Sequence, residues 1–171
     1  MRYQQSIVLM EKIVISSNAK VNIGLKVLKK KDNGYHEIIT IFQEIDLSDT
    51  ITLTKNSQNL NFNSNVDWLK NDENNLCIVA YKLMEKNYSI GGVNIDLNKK
   101  IPPGSGLGGG SSNAANIIKG VRDLFSIKIP NDELEHLAVK IGADVPFFIN
   151  GSIQLGEGIG EKLTPLKQKI G

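Results

Sequence analysis

Cysteine is almost absent from this chain, with Cys77 its single example. One thiol closes no internal disulfide, so nothing staples the fold, and a reducing cytoplasm suits the protein. Cys77 sits at an apolar position of an expected helix, where its role is packing. No window approaches the ~18 apolar residues of a membrane-spanning helix, so no membrane association is expected. The opening stretch MRYQQSIVLMEKIVIS carries Glu11 and Lys12 and lacks a small-residue cleavage pattern, unlike a signal peptide. A strong charge of either sign is missing too. Twenty basic and eighteen acidic residues leave a net charge of +2, compatible with an anionic substrate but too weak to argue for nucleic acid. Lys29, Lys30 and Lys31 read as a solvated turn. There is no internal repeat and no low-complexity segment.

What remains is an ordinary globular composition, 40% hydrophobic and 22% charged over 171 residues, enough for one domain with a sizeable core. Met10 is a natural strand start, so residues 1–9 read as an N-terminal extension and 10–171 as the folded unit. Short strands are expected at Ile13–Ser16 and over 19–27, where apolar residues alternate with Lys20, Asn22, Gly24 and Lys26. That period of two puts Lys20 and Asn22 on one face. Gly24 leaves the next place on that face bare, either for a ligand or as a bulge. Asp32-Asn33-Gly34 signals a turn into a strand over 36–47. Ser48-Asp49 reads as a tight turn into a strand over 51–54, completing an antiparallel meander. A short strand is expected over 60–62, and Trp68 in a loop. A helix starts near Asn74, capped by Asp72, Glu73 and Asn74, with Leu76, Val79, Ala80, Leu83 and Met84 on its apolar stripe. A strand over 93–97 follows. Two more helices are expected, one over about 110–125 and one that begins after Pro130-Asn131 and stops at Gly142.

Between the 93–97 strand and the 110–125 helix lies IPPGSGLGGGSSNAA, with five glycines from Gly104 to Gly110. Glycine lets backbone N–H groups approach a ligand closely and visit positive φ. A glycine loop that feeds a helix offers unpaired donors and the positive end of a dipole, which is a site for phosphate. A Walker A loop would need a lysine before Ser111, and none is there. The pattern G-x-G-x-x-G occurs at Gly104, Gly106 and Gly109. However, Lys99-Lys100-Ile101-Pro102-Pro103 separates it from the preceding strand, and the following helix leads to another helix. A dinucleotide fold has neither feature.

The full segment resembles the phosphate loop of the GHMP kinases. AKVNIGLKV, DNGYHEIITIFQEIDLSDTI, IGADVPFFI and GEGIGEKLTPL match one branch of that family in the same order, from Ala19 to Leu166. The resemblance implies an α+β lobe of ribosomal S5 domain 2-like topology, with ATP and Mg²⁺ as cofactors and no resident metal site. It implies phosphorylation of the 2-hydroxyl of 4-diphosphocytidyl-2-C-methyl-D-erythritol, in the non-mevalonate isoprenoid route. Asp144 matches the catalytic aspartate that takes the hydroxyl proton, and Lys20 the lysine that pairs with it. Asn22, Tyr35 and His36 match substrate-binding positions, the last two holding the cytosine. Pro102, Pro103, Gly104, Ser105, Gly106, Leu107, Gly108, Gly109, Gly110, Ser111 and Ser112 would wrap the triphosphate. The hydroxyls of Ser111 and Ser112 would be available to phosphate or Mg²⁺, and Lys99 or Lys100 would reach the ATP.

GHMP kinases have two lobes, and only the first is expected here. A surface left by the second lobe would favour self-association. Two alternatives stay open: another GHMP kinase acting on a different small alcohol, and a non-catalytic module that binds RNA or a partner.

Overall fold

The computed structural model describes residues 10–30, 34, 36–57, 59–70, 72 and 74–167, with only the backbone of Lys70. The expected extension over 1–9, the Asp32-Asn33 turn, the capping Glu73 and the substrate-binding Tyr35 lie outside the described residues.

Strands β1 (Lys12–Lys30) and β2 (His36–Asn56) pair as one long antiparallel hairpin. The two short strands expected in the first segment are thus a single strand. Asn18 pairs with Ser48 and Ala19 with Ile45, so Asp46 and Leu47 have no counterpart on β1. The tight turn expected at Ser48-Asp49 is therefore paired strand, directly after a bulge at Asp46 and Leu47. The bare position at Gly24 is also a bulge: its φ is +68°, and it lies at the register shift between Ile23 and Lys26.

The other edge of β2 is divided. Thr50–Asn56 pairs with β4 (Gly92–Asn98), and Ile38–Gln43 pairs with β5 (Ile153–Gly158). β3 (Asn61–Ser64) lies parallel to β4, and β6 (Lys162–Pro165) antiparallel to β5. A parallel pair needs a crossover, and α1 (Asp67–Lys70) with α2 (Leu76–Asn87) supplies it. Trp68 belongs to α1 and not to a loop. The cap of α2 is Asn75, whose Oδ1 accepts the N–H of Cys77 at 3.0 Å. Asp72 holds the preceding N–H of Asn74 instead.

Helix α3 (Gly109–Leu124) follows the glycine segment. It buries Ala114, Ala115, Ile117, Ile118, Val121 and Leu124 against Ile51, Leu53, Val93, Ile95 and α2. Each buried isoleucine or leucine adds about 2 kcal/mol of hydrophobic stabilisation. Contact between α3 and the sheet is close at Gly120, where an added Cβ would lie 2.5 Å from Ile15 and 2.6 Å from Leu53. Helix α4 (Asn131–Ala138) ends earlier than the Gly142 stop implied, and α5 (Phe147–Asn150) is a single turn inside the GADVPFFING segment.

Candidate active site

The glycine segment is tied down at both ends. On the entry side, Asp49 of β2 accepts the N–H groups of Lys100 at 2.6 Å and Ile101 at 2.7 Å. Ile101 is buried, while Pro102 and Pro103 are exposed. Ser105 then turns the chain by donating its hydroxyl to the Pro102 carbonyl at 2.7 Å. Gly104, Gly106 and Gly108 all take positive φ, between 69° and 76°. On the exit side, the Leu107 carbonyl accepts the N–H of Lys20 at 2.9 Å, fastening the loop to β1. Gly108 is the N-cap of α3 and carries no side-chain cap, so the first N–H groups of a four-turn helix face outward without a side-chain partner. With the helix dipole behind them, they form a site for an anion. A Cβ on Gly108 would stand 2.9 Å from the Phe148 ring and 3.2 Å from Lys20 Cε, so glycine is required by space as well as by φ.

Lys20 lies directly beneath that cap. Its side chain is 6% exposed, runs over the Phe42 ring with Nζ 5.1 Å from the centroid, and brings Nζ to 3.4 Å from Asp144 Oδ2. The ammonium also bonds Asn22 Oδ1, so the shared face expected for Lys20 and Asn22 is present. Asp144 is 37% exposed on a turn between α4 and α5. Its neighbours Val145, Phe147 and Phe148 are buried, which fixes the turn and leaves the carboxylate at the surface. Lys119 of α3 donates to the Phe148 carbonyl at 2.8 Å, and buried Gln154 donates to the carbonyls of Phe147 and Gly151. Burial pushes the Lys119 ammonium below its ordinary pKa, despite the opposing charge of Glu44.

His36 is exposed and pairs with Lys30 near the mouth of the hairpin. It shares a face of β2 with Ile38 and Phe42 by the two-residue period, about 20 Å from Phe42 along the strand. Between the loop and α1 lies a cavity of 240 Å³, lined among others by Trp68, Cys77, Lys99, Pro103, Gly110 and Asn113. The Cys77 thiol is pushed up to about 12, chiefly by burial, and stays neutral.

One expectation needs correction. The Ser112 hydroxyl is fully buried and bonds Ser17 Oγ at 2.8 Å, on the sheet side of α3, so it is turned away from the loop. Lys99 lines the cavity beside the loop, with its ammonium held 2.7 Å from Asp49. Several groups that shape the site went unread in the sequence. Phe42, Lys119 and Gln154 sit inside otherwise ordinary apolar or polar alternation. Gly160, where a Cβ would come 3.6 Å from Asp144 Oδ1, lies in the GEGIGEKLTPL stretch with nothing in its sequence to mark it out.

Known proteins resemble this chain in sequence and fold. A family model described as "GHMP kinases N terminal domain" matches residues 75–152. The 4-diphosphocytidyl-2-C-methyl-D-erythritol kinase of Lachnospira eligens is 42% identical over 159 residues, covering 92% of this chain and 55% of the relative. Residues 75–152 thus match the N-terminal domain of the GHMP kinases. The Clostridium novyi kinase of the same name is 45% identical over 150 residues. A crystal structure of a 4-(cytidine 5'-diphospho)-2C-methyl-D-erythritol kinase superposes with a TM-score of 0.78 at 38% identity, covering 90% of this chain and 55% of that one. A mevalonate kinase from Methanococcus jannaschii shares the fold at 21% identity and a TM-score of 0.67. This chain thus spans about half the length of the curated relatives it matches.

Proposed function

We propose that this chain is a GHMP kinase domain and supplies the ATP-binding half of an enzyme that phosphorylates the 2-hydroxyl of 4-diphosphocytidyl-2-C-methyl-D-erythritol. The observation that carries this reading is the Lys20–Asp144 pair at 3.4 Å, set directly under the uncapped end of α3. Phosphoryl transfer depends mostly on positioning and charge neutralisation. ATP, when bound, supplies the γ-phosphoryl group. The turns at Gly104, Gly106 and Gly108 and the N–H groups of Gly109, Gly110 and Ser111 would hold its phosphates, and the adjoining 240 Å³ cavity has room for its base. Lys20 would neutralise charge on the transferring group, and Asp144 would take the proton of the attacking hydroxyl. Ser111 and Asp144 carry the oxygen donors here suited to a hard cation such as Mg²⁺.

His36 would meet the cytosine, since the β2 face carries it away from Phe42 by roughly the length of an extended nucleotide conjugate. Asn22 would contact the sugar alcohol beside Lys20. Among the described residues no helix is long and apolar enough to cross a membrane, and the single buried cysteine suits the cytoplasm. Exposed Leu25 and Val27 near the end of β1 would favour self-association wherever nothing else covers them.

The test is ADP release with the cytidyl substrate, homoserine or mevalonate, on this chain and on the longest natural polypeptide that contains it. Turnover of the cytidyl compound, cut about 10²–10⁴-fold by Asp144→Asn, is expected. Turnover of another alcohol alone, or an unchanged Asp144→Asn rate, would reject the reading.

A further inference from the structure

Asp49 is fully buried and accepts four hydrogen bonds. Its Oδ1 takes the backbone N–H groups of Lys100 and Ile101, and its Oδ2 takes Lys99 Nζ at 2.7 Å and Asn113 Nδ2 at 2.9 Å. These partners come from the entry to the glycine loop, from the cavity wall and from the second turn of α3. The carboxylate can reach all of them because it stands just after the β2 bulge, where the strand's second edge passes from β5 to β4. Asn113 shows how strongly the arrangement is held. Its Nδ2 faces the carboxylate, and its buried Oδ1 has no hydrogen-bond partner. Flipping the amide would satisfy neither group better, since it would set an oxygen against Asp49.

We propose that Asp49 is the positioning residue of the phosphate loop. Its single buried charge orients Lys99, the loop entry and the start of α3 as one unit. Lys99 Nζ ends up close to Gly109, where an added Cβ would lie 3.1 Å away. A positive charge is thereby fixed beneath the backbone N–H groups that receive an anion, and it cannot leave because its counter-charge is buried with it. The nucleotide part of this inference rests on the proposed ATP-binding role. The orientation of the loop does not.

The sequence allows a sharp test. Asp49→Asn keeps an oxygen for Lys100 and Ile101 but turns an amide N–H₂ toward Lys99 and Asn113, which both donate. The double variant Asp49→Asn with Asn113→Asp returns one carboxylate to the same cluster and restores a donor–acceptor pair. Amide hydrogen exchange without nucleotide reads the loop directly. In Asp49→Asn, exchange at Lys100 and Ile101 and over 112–116 at the start of α3 is expected to rise about tenfold or more while α2 stays protected, and the double variant should recover most of that protection. ATP affinity, measured by fluorescence titration, should follow the same order. Exchange at those amides within about twofold of the parent would overturn the proposal, as would equal acceleration in α2. A double variant that fails to fold, or that folds with the loop still loose, would overturn it too. If the parent binds no ATP while the exchange pattern appears as expected, the positioning role holds and the kinase reading fails.

Discussion

The backbone N–H of Lys20 donates to the carbonyl of Leu107 at 2.9 Å. One residue therefore holds the glycine loop with its main chain and faces Asp144 with its side chain. Loop and acid are in register through β1, without any residue dedicated to joining them.

Gly108→Ala and Gly104→Ala separate strain from collision. Both positions have positive φ, but a Cβ at Gly104 meets nothing within 4 Å, whereas at Gly108 it meets Phe148 at 2.9 Å. Gly104→Ala should cost about 1 kcal/mol from φ alone. Gly108→Ala should cost about 2–4 kcal/mol, because neighbouring side chains must also move. Urea unfolding of the two variants checks this, and equal costs would contradict the steric account.

Lys20→Met keeps an unbranched side chain over the Phe42 ring and removes the charge facing Asp144. Thermal stability should change by less than about 1.5 kcal/mol. Turnover should fall by at least about 10²-fold, with the KM for ATP changing much less. Steady-state kinetics alongside a melting curve will separate the two effects.

Gly160→Ala tests the acceptor side. At φ +110° a side chain is strained, and its Cβ would stand 3.6 Å from Asp144 Oδ1, in space the hydroxyl would occupy under the proposed role of Asp144. The KM for the alcohol should rise, while nucleotide affinity stays within about twofold. A parallel fall in both affinities would mean that the β5–β6 turn supports the whole site.

Stability should decline in alkali. Cys77 is raised by burial from 9.0 to about 12, and Tyr81 and Tyr88 from 10.0 to about 12, again chiefly by burial. Above pH 9 the unfolded chain sheds these protons while the folded chain keeps them. The unfolded state then binds fewer protons, and stability falls as pH rises from 9 to about 12. Urea midpoints across that range should show the slope, and Cys77→Ala should make it shallower.

The sequence revealed the strands by their alternation and α3 by its spaced apolar residues. It also revealed the loop by its glycines, and Lys20, Asn22 and Asp144 through a family pattern. Asp49 was missed for a physical reason. Ser48-Asp49 has the composition of a turn, and only pairing with β1 shows that the strand continues through it. Ser112 was misjudged because two adjacent serines on a helix point about 100° apart. One of them, Ser112, faces Ser17 on the sheet.

The course of β2 limits how this protein can change. Phe42, under Lys20, and Asp49, under the loop, lie on the same strand with six residues between them. Inserting or deleting one residue there would turn one of the two to the opposite face. Length variation should therefore be tolerated in the exposed connections and rejected between Phe42 and Asp49. A library of single-residue insertions scanned along the chain would show that interval as a gap among the survivors.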